Sequence, residues 1–205
     1  MARRVRGPQN AVRLKVTLKG MRPPVWRRLL VGDAMTLDDL HMAVQAAMGW
    51  DNAHLHLFVV GRKTYADPSM LDDTADEAGL TLGALAAAGV KSLAYIYDMG
   101  DSWEHAGAIE GSEPIEPGRG YPACIGGRRA CPPEDSGGVW GFGAMLEALA
   151  DPAHPEHAER KEWIGDFDAE AFSVAAADAR LGEWFGRRKG LGRRTDAPRR
   201  GGGGL

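Results

Sequence analysis

Four apolar residues at strictly alternate positions, Val12, Leu14, Val16 and Leu18 in VRLKVTLKG, commit the start of this chain to a strand with one buried face. RPPVWRRLLV follows across Pro23 and Pro24, which a helix interior rejects, and predicts a second strand from Val25 to Val31. The period then changes. In TLDDLHMAVQAAMGW, Leu37, Leu40, Val44, Ala47 and Met48 fall on one helical face. Thr36 suits the N-cap, Asp38 and Asp39 suit the positive end of the helix dipole, and Gly49 suits the stop. HLHLFVVG returns to alternation, with His54, His56, Phe58 and Val60 on one face and Leu55, Leu57 and Val59 on the other. LTLGALAAAG predicts a short helix capped by Thr81. KSLAYIYDMGDSWEHAGAIEG predicts two strands joined near Gly100–Asp101. The remaining periodic segments, WGFGAMLEALAD, HPEHAERKEWIG and DAEAFSVAAADARLGEWF, are helical. Strands and one helix, then more strands, then helices, without regular βαβ alternation, make an α+β fold: a mixed or antiparallel sheet with a hairpin, packed by helices.

A chain of 205 residues with 44% apolar and 26% charged side chains can bury one substantial core. The expected organisation is a basic arm over residues 1–9, a single α+β domain over 10–185 and a disordered basic, Gly-rich tail over 186–205. The tail carries seven basic side chains against Asp196. The first seven residues add Arg3, Arg4 and Arg6, so the overall −3 leaves −12 on residues 8–185. Nucleic acid is therefore expected to meet the ends and to be repelled by the acidic body; a merely solubilising tail is the plainer alternative. No apolar run approaches the ~20 residues that span a bilayer, and no export signal follows the basic start. Two cysteines then point to a reducing, cytoplasmic setting.

Several polar groups have metal or acid–base chemistry. His54 and His56, two apart on a strand, share a face on which two imidazoles can grip one ion, or the face is simply hydrogen-bonded. In YIYDMGDSWEH, alternation groups Asp98 with Ala94 and Ile96, and His105 with Trp103 and Gly107; the register decides whether Asp98 and His105 meet. Asp101 and Ser102 make the turn, or Asp101 joins the ligands. Between Gly111 and Gly138 runs a Pro/Gly-rich connection of 28 residues, beyond the ~15 usual in compact domains. It holds Cys124 and Cys131 in a C-x6-C spacing wider than most zinc knuckles, with Glu134 and Asp135 just after. Two thiols alone cannot close a tetrahedral zinc site, so His105, or His154 and His157, would complete it. Pro155 instead places His154 at a helix start with His157 facing solvent. Trp26, Trp50, Trp103 and Trp163 are expected as core anchors.

PPVWRRLLV, TLDDLHMAVQAAMGW, HLHLF, YIYDMGDSWEH, YPACIGGRRACPPEDSGG and LADPAHPEH…EWIGDFDAEAF, in that order, resemble the plasmid pRiA4b ORF-3-like family over residues 12–184. The resemblance implies an α+β domain, found on plasmids and beside insertion elements, where some members bear the label TnpR, a resolvase. Where relatives tend to carry Asn, this chain has Asp178-Ala179. The resolvase label finds no nucleophile. A serine recombinase needs a serine near its first strand, and the first here is Ser69; a tyrosine recombinase needs a tyrosine beyond its Arg/His cluster, and the last here is Tyr121, ahead of HAER. The leading expectation is a non-catalytic recognition module of mobile elements, with a polar loop region that zinc stabilises through some of His54, His56, Asp98, Asp101, His105, Cys124 and Cys131. A metal-dependent hydrolase using the histidines and Asp98 or Asp101 is one rival. A protein-interaction domain with an acidic face is the other.

Overall fold

The structure is a computed structural model that describes residues 8–190. Its frame is one eight-stranded sheet in the order β5-β4-β3-β6-β7-β1-β2-β8. The strands are β1 (Asn10–Leu18), β2 (Trp26–Gly32), β3 (His56–Val60), β4 (Lys63–Ala66), β5 (Ala75–Asp76), β6 (Ser92–Tyr97), β7 (Trp103–Pro114) and β8 (Ala123–Arg128). Every pairing is antiparallel except β4 with β5. The helices are α1 (Leu37–Met48), α2 (Leu82–Ala87), α3 (Gly138–Ala150), α4 (His157–Ile164) and α5 (Val174–Gly190). The fold class is thus α+β.

The alternation in β1 works as the period demands. Val12, Leu14, Val16 and Leu18 are buried, while Arg13, Lys15 and Thr17 stand on the other face. There the charges pair across strands: Arg13 bonds Glu113, and Arg28 meets Glu110 at 2.7 and 2.9 Å. Lys15 and Arg28 both lie over the half-buried Trp26 ring, at 5.0 and 5.1 Å. Trp26 is thus an outer-face platform, and Trp163 is 48% exposed; only Trp50 and Trp103 anchor the core as expected.

α1 is buried on nearly every side, because Leu37, Leu40, Ala43, Val44, Ala46 and Ala47 all lose contact with water. It therefore also carries His41 and Gln45 inward, and both must find partners. Gly49 ends it in the left-handed conformation with φ 93°, its N–H on the Gln45 carbonyl. Thr36 occupies the N-cap, but its hydroxyl donates to Asp38 instead of capping the backbone. Thr81 does cap α2, accepting from Ala84 N at 3.2 Å.

The long connection contributes strand at 111–114 and 123–128 and is otherwise irregular. β7 continues to Pro114, and β8 adds an edge strand along β2. The edge is blunted by α5: Asp178 Oδ1 accepts the Cys124 N–H at 2.9 Å, pairing an amide of the edge strand. α5 also runs past the expected boundary at residue 185 to Gly190. The rest of the tail, and residues 1–7 of the arm, lie outside the described residues. Among the described residues, no helix is long and apolar enough to cross a membrane.

Candidate functional site

Three loops meet at the end of the sheet where β3 begins, β6 turns into β7, and the chain approaches α3. The β6–β7 turn is set by Asp98, whose backbone is left-handed at φ 58° and whose Oδ1 accepts from Gly100 N at 2.9 Å and Asp101 N at 3.3 Å. That leaves Oδ2 facing His54 Nε2 at 3.7 Å. From the third loop Asp135, also left-handed at φ 58°, brings Oδ1 to 3.2 Å from the same nitrogen. Asp and Asn tolerate this conformation better than other residues with a β-carbon. Asn52, Asp98, Ser102 and Asp135 all adopt it around this junction. One ligand atom from each of His54, Asp98 and Asp135 lies within 4.8 Å of the others.

The junction is tied from behind. Tyr97 donates its hydroxyl to Glu134 while accepting from Ala53 N at 2.9 Å and His54 N at 3.2 Å. Asp101 Oδ2 accepts Gly137 N at 3.0 Å, clasping the hairpin turn to the third loop. Trp50 Nε1 donates to the Pro132 carbonyl at 2.8 Å. Asp101 therefore serves as a clasp, and among the described residues it joins no three-ligand group.

A second polar cluster adjoins the first across a cavity of about 500 Å³ lined by His41, Asn52, His54, His56, Asp67 and Glu77 among others. His56 Nε2 lies 2.9 Å from the nearly buried Glu77 carboxylate. His41 stacks on His56 with ring centres 3.5 Å apart and planes within 1°. Burial first, then the neighbouring His56, pushes His41 down to about 3, against the pull of its bond to Asn52. His41 is thus neutral at pH 7, with ring nitrogens 2.8 Å from Tyr95 Oη and 2.7 Å from Asn52 Oδ1. Because Asn52 Oδ1 only accepts, the proton sits on His41 Nε2, and Nδ1 takes the Tyr95 hydroxyl.

The other expected ligands do not gather here. His54 and His56 go separate ways: His54 precedes β3, which begins at His56, and each has a different acid. His105 pairs opposite Tyr95 in the β6–β7 ladder and points into the core, fully buried. Its ring lies edge-on to Trp50 at 5.4 Å and tilted to Tyr95 at 5.3 Å, with both nitrogens outside hydrogen-bond geometry. Burial pushes it down to about 4, partly offset by the backbone of Tyr95 and Trp103. Asp98 and His105 are therefore not a pair, because the turn residue leaves the strand's alternation. Cys124 and Cys131 are buried free thiols. Burial raises Cys124 and pushes Cys131 up to about 12, so both thiols are protonated at neutral pH. Among the described residues neither joins a three-ligand group. His157 is half-buried, 2.9 Å from the Ala148 carbonyl, and His154 Nδ1 accepts from Glu156 N, so these two serve helix ends.

Asp135 and Glu77 were missed from the sequence as site residues. Asp135 had a signal in CPPED, where two prolines stiffen a loop ending in acids. Glu77 had none: it is carried in by a 3-10 turn (Glu77–Gly79) that packs against α1.

Comparison with known proteins agrees with this architecture. An uncharacterized protein of Sinorhizobium fredii (strain NBRC 101917 / NGR234), y4hQ, is 41% identical over 184 residues, covering 85% of this chain and 94% of its own. The crystal structure of MM3350, a protein of unknown function from Methanosarcina mazei Go1, matches with a TM-score of 0.77 at 36% identity, over 82% of this chain and 96% of that one. The family described as Plasmid pRiA4b ORF-3-like protein matches residues 10–176. From the first residue of β1 to the first turn of α5, the chain belongs to the plasmid pRiA4b ORF-3-like family.

Proposed function

We propose that this protein is a non-catalytic recognition module whose three site loops are fastened by a divalent cation held between His54, Asp98 and Asp135. The carrying observation is His54 Nε2, which is shielded from solvent and has no hydrogen bond, although two carboxylate oxygens stand within 4 Å. A buried polar atom without a partner is costly. A cation between the three groups would answer the nitrogen and both acids at once. One imidazole and two carboxylates suit zinc or a similar first-row ion, with remaining positions open to solvent or ligand. The recognised ligand would enter the 500 Å³ cavity beside His54, where His56 and Glu77 offer polar contacts. The basic tail would add contacts to nucleic acid, as its charge suggests. Two observations favour binding over catalysis: the thiols are protonated, and Tyr95 and Tyr97 are both raised by burial, which leaves these side chains weak nucleophiles.

The His56–Glu77 pair favours a second reading, a metal-dependent hydrolase. A bound cation would supply an acidified water. His56, oriented by Glu77, would accept its proton. Assay of the zinc-loaded chain against phosphodiester and carboxylic ester substrates separates the two. The recognition reading expects no turnover that His56→Ala removes; turnover lost in that variant establishes the hydrolase.

A further inference from the structure

A second cavity, of about 610 Å³, adjoins the α1 C-terminus and is lined by Arg27, Gly49, Cys131, Phe172, Ser173 and Arg180 among others. Its chemistry is the reverse of the cation site. Arg27 is only 2% exposed, yet among the described residues neither it nor Arg180 has a carboxylate partner. Buried arginines ordinarily have one, as Arg129 does in Glu170 at 2.7 Å. Arg27 is held instead by carbonyl oxygens: Nε donates to Ala47 O at 3.0 Å, and Nη1 to Trp26 O at 2.9 Å and Arg128 O at 3.1 Å. Its guanidinium lies 4.1 Å from the centre of the Phe172 ring. Arg180 Nε donates to Ala46 O at 2.8 Å. The C-terminus of α1 thus fixes both planes and, among the described residues, leaves Nη2 of Arg27 and both terminal nitrogens of Arg180 without protein acceptors.

Two like charges are thereby held together at one cavity. Burial lowers Arg27, the neighbouring Cys131 and Cys124 act to raise it, and the repulsion of Arg180 lowers it by a smaller amount. Carbonyls at a helix end stabilise one cation through the dipole, but they do not neutralise two. The first turn of α5 opens into the same cavity. Ser173 Oγ accepts from Ala176 N at 3.2 Å, and its own proton stays free to donate. Gly49 borders the cavity beside Arg180, whose Nη2 would be in ordinary contact with a β-carbon there, at 3.6 Å.

We infer that this cavity is an oxyanion site, in which the guanidinium groups of Arg27 and Arg180, with the Ser173 hydroxyl, bind a phosphate or carboxylate group carried on an apolar body. Fixed guanidinium forks match both groups. The volume exceeds that of a bare ion, and Phe172, Met48, Ala171 and Ala176 provide an apolar wall for the rest of the ligand. The site is independent of the cation proposed at His54.

Titration calorimetry of the full chain at constant ionic strength tests this, with phenyl phosphate, phenylacetate and inorganic phosphate as probes. Saturable binding of one equivalent is expected for a phenyl-bearing anion, tighter than for inorganic phosphate. Arg180→Gln should weaken it about 10- to 100-fold, the usual loss for one charge-assisted contact. Arg180 is half-buried and its variant keeps the basic tail, so circular dichroism can verify that the fold persists. Preference between phenyl phosphate and phenylacetate identifies the group. No saturable binding by the native chain, or binding indifferent to Arg180→Gln, overturns the inference.

Discussion

Lowering the pH should destabilise this fold well before its carboxylates protonate, because two histidines are buried in the neutral form. His105 is pushed from 6.5 to about 4 and His41 from 6.5 to about 3, in both cases chiefly by burial. The charged groups facing them offer no compensation: Arg27 opposes a charge on His105, and His56 opposes one on His41. Both shifts are downward, so the unfolded chain binds protons first. The stabilisation is complete above about pH 6.5 and is lost as the pH falls toward the folded values. At about pH 5 the unfolded state gains roughly 1.5 units of protonation free energy per histidine. That is about 2 kcal/mol each and about 4 kcal/mol together, a large share of a typical 5–15 kcal/mol. Urea unfolding followed by the fluorescence of the buried Trp50 and Trp103 reads this directly. His105→Phe is the sharper perturbation, since it removes the titrating ring while keeping an aromatic side chain at a fully buried position. The drop in unfolding free energy between about pH 7.5 and about pH 5 should shrink by about 2 kcal/mol in that variant. An unchanged drop would refute the assignment of a neutral, buried His105, whatever the variant does at neutral pH.

Three further outcomes are expected. Tyr97→Phe removes the donor to Glu134 and the acceptor of Ala53 N and His54 N, and should cost about 1–3 kcal/mol in urea unfolding while loosening the 131–137 loop to proteolysis. Asp178→Ala should cost about 1–2 kcal/mol by orphaning the Cys124 amide, and Asp178→Asn, which keeps the acceptor, much less; equal losses would contradict the edge-capping role. Truncation after Gly190 leaves α5 whole but removes four arginines. It should flatten the salt dependence of any DNA binding by about 3 in log–log slope, and an unchanged slope would move the nucleic-acid surface onto the body.

The elements legible in the sequence were those whose period shows locally. β1, the β6–β7 hairpin and α1 with its Gly49 stop all announce themselves within a dozen residues. β8 did not, because ACIGGR has no alternation and two glycines. Gly127 is glycine for a long-range reason: a β-carbon there would sit 2.4 Å from the Phe172 ring, brought from the segment before α5. β8 exists through β2 on one side and α5 on the other, neither of which a local window contains. The same holds for the site. His54 and Asp98 were identifiable by chemistry, although alternation kept Asp98 on a strand face whereas β6 ends at Tyr97 and Asp98 begins the turn. Their partner Asp135 is 37 residues beyond Asp98 and arrives only once Asp101 and Trp50 clasp its loop. His105 misled because alternation correctly gave its face, and that face is the core. Cys124 and Cys131 join no three-ligand group among the described residues, which their spacing alone does not reveal.

The account's central claim is that His54, Asp98 and Asp135 are a cation site. Elemental analysis of the untagged protein, dialysed against zinc and then metal-free buffer, tests it most directly. The claim expects one equivalent retained by the native chain and by Cys124→Ser, and none by His54→Ala. Zinc retained after His54→Ala, or absent from the native chain, would contradict it.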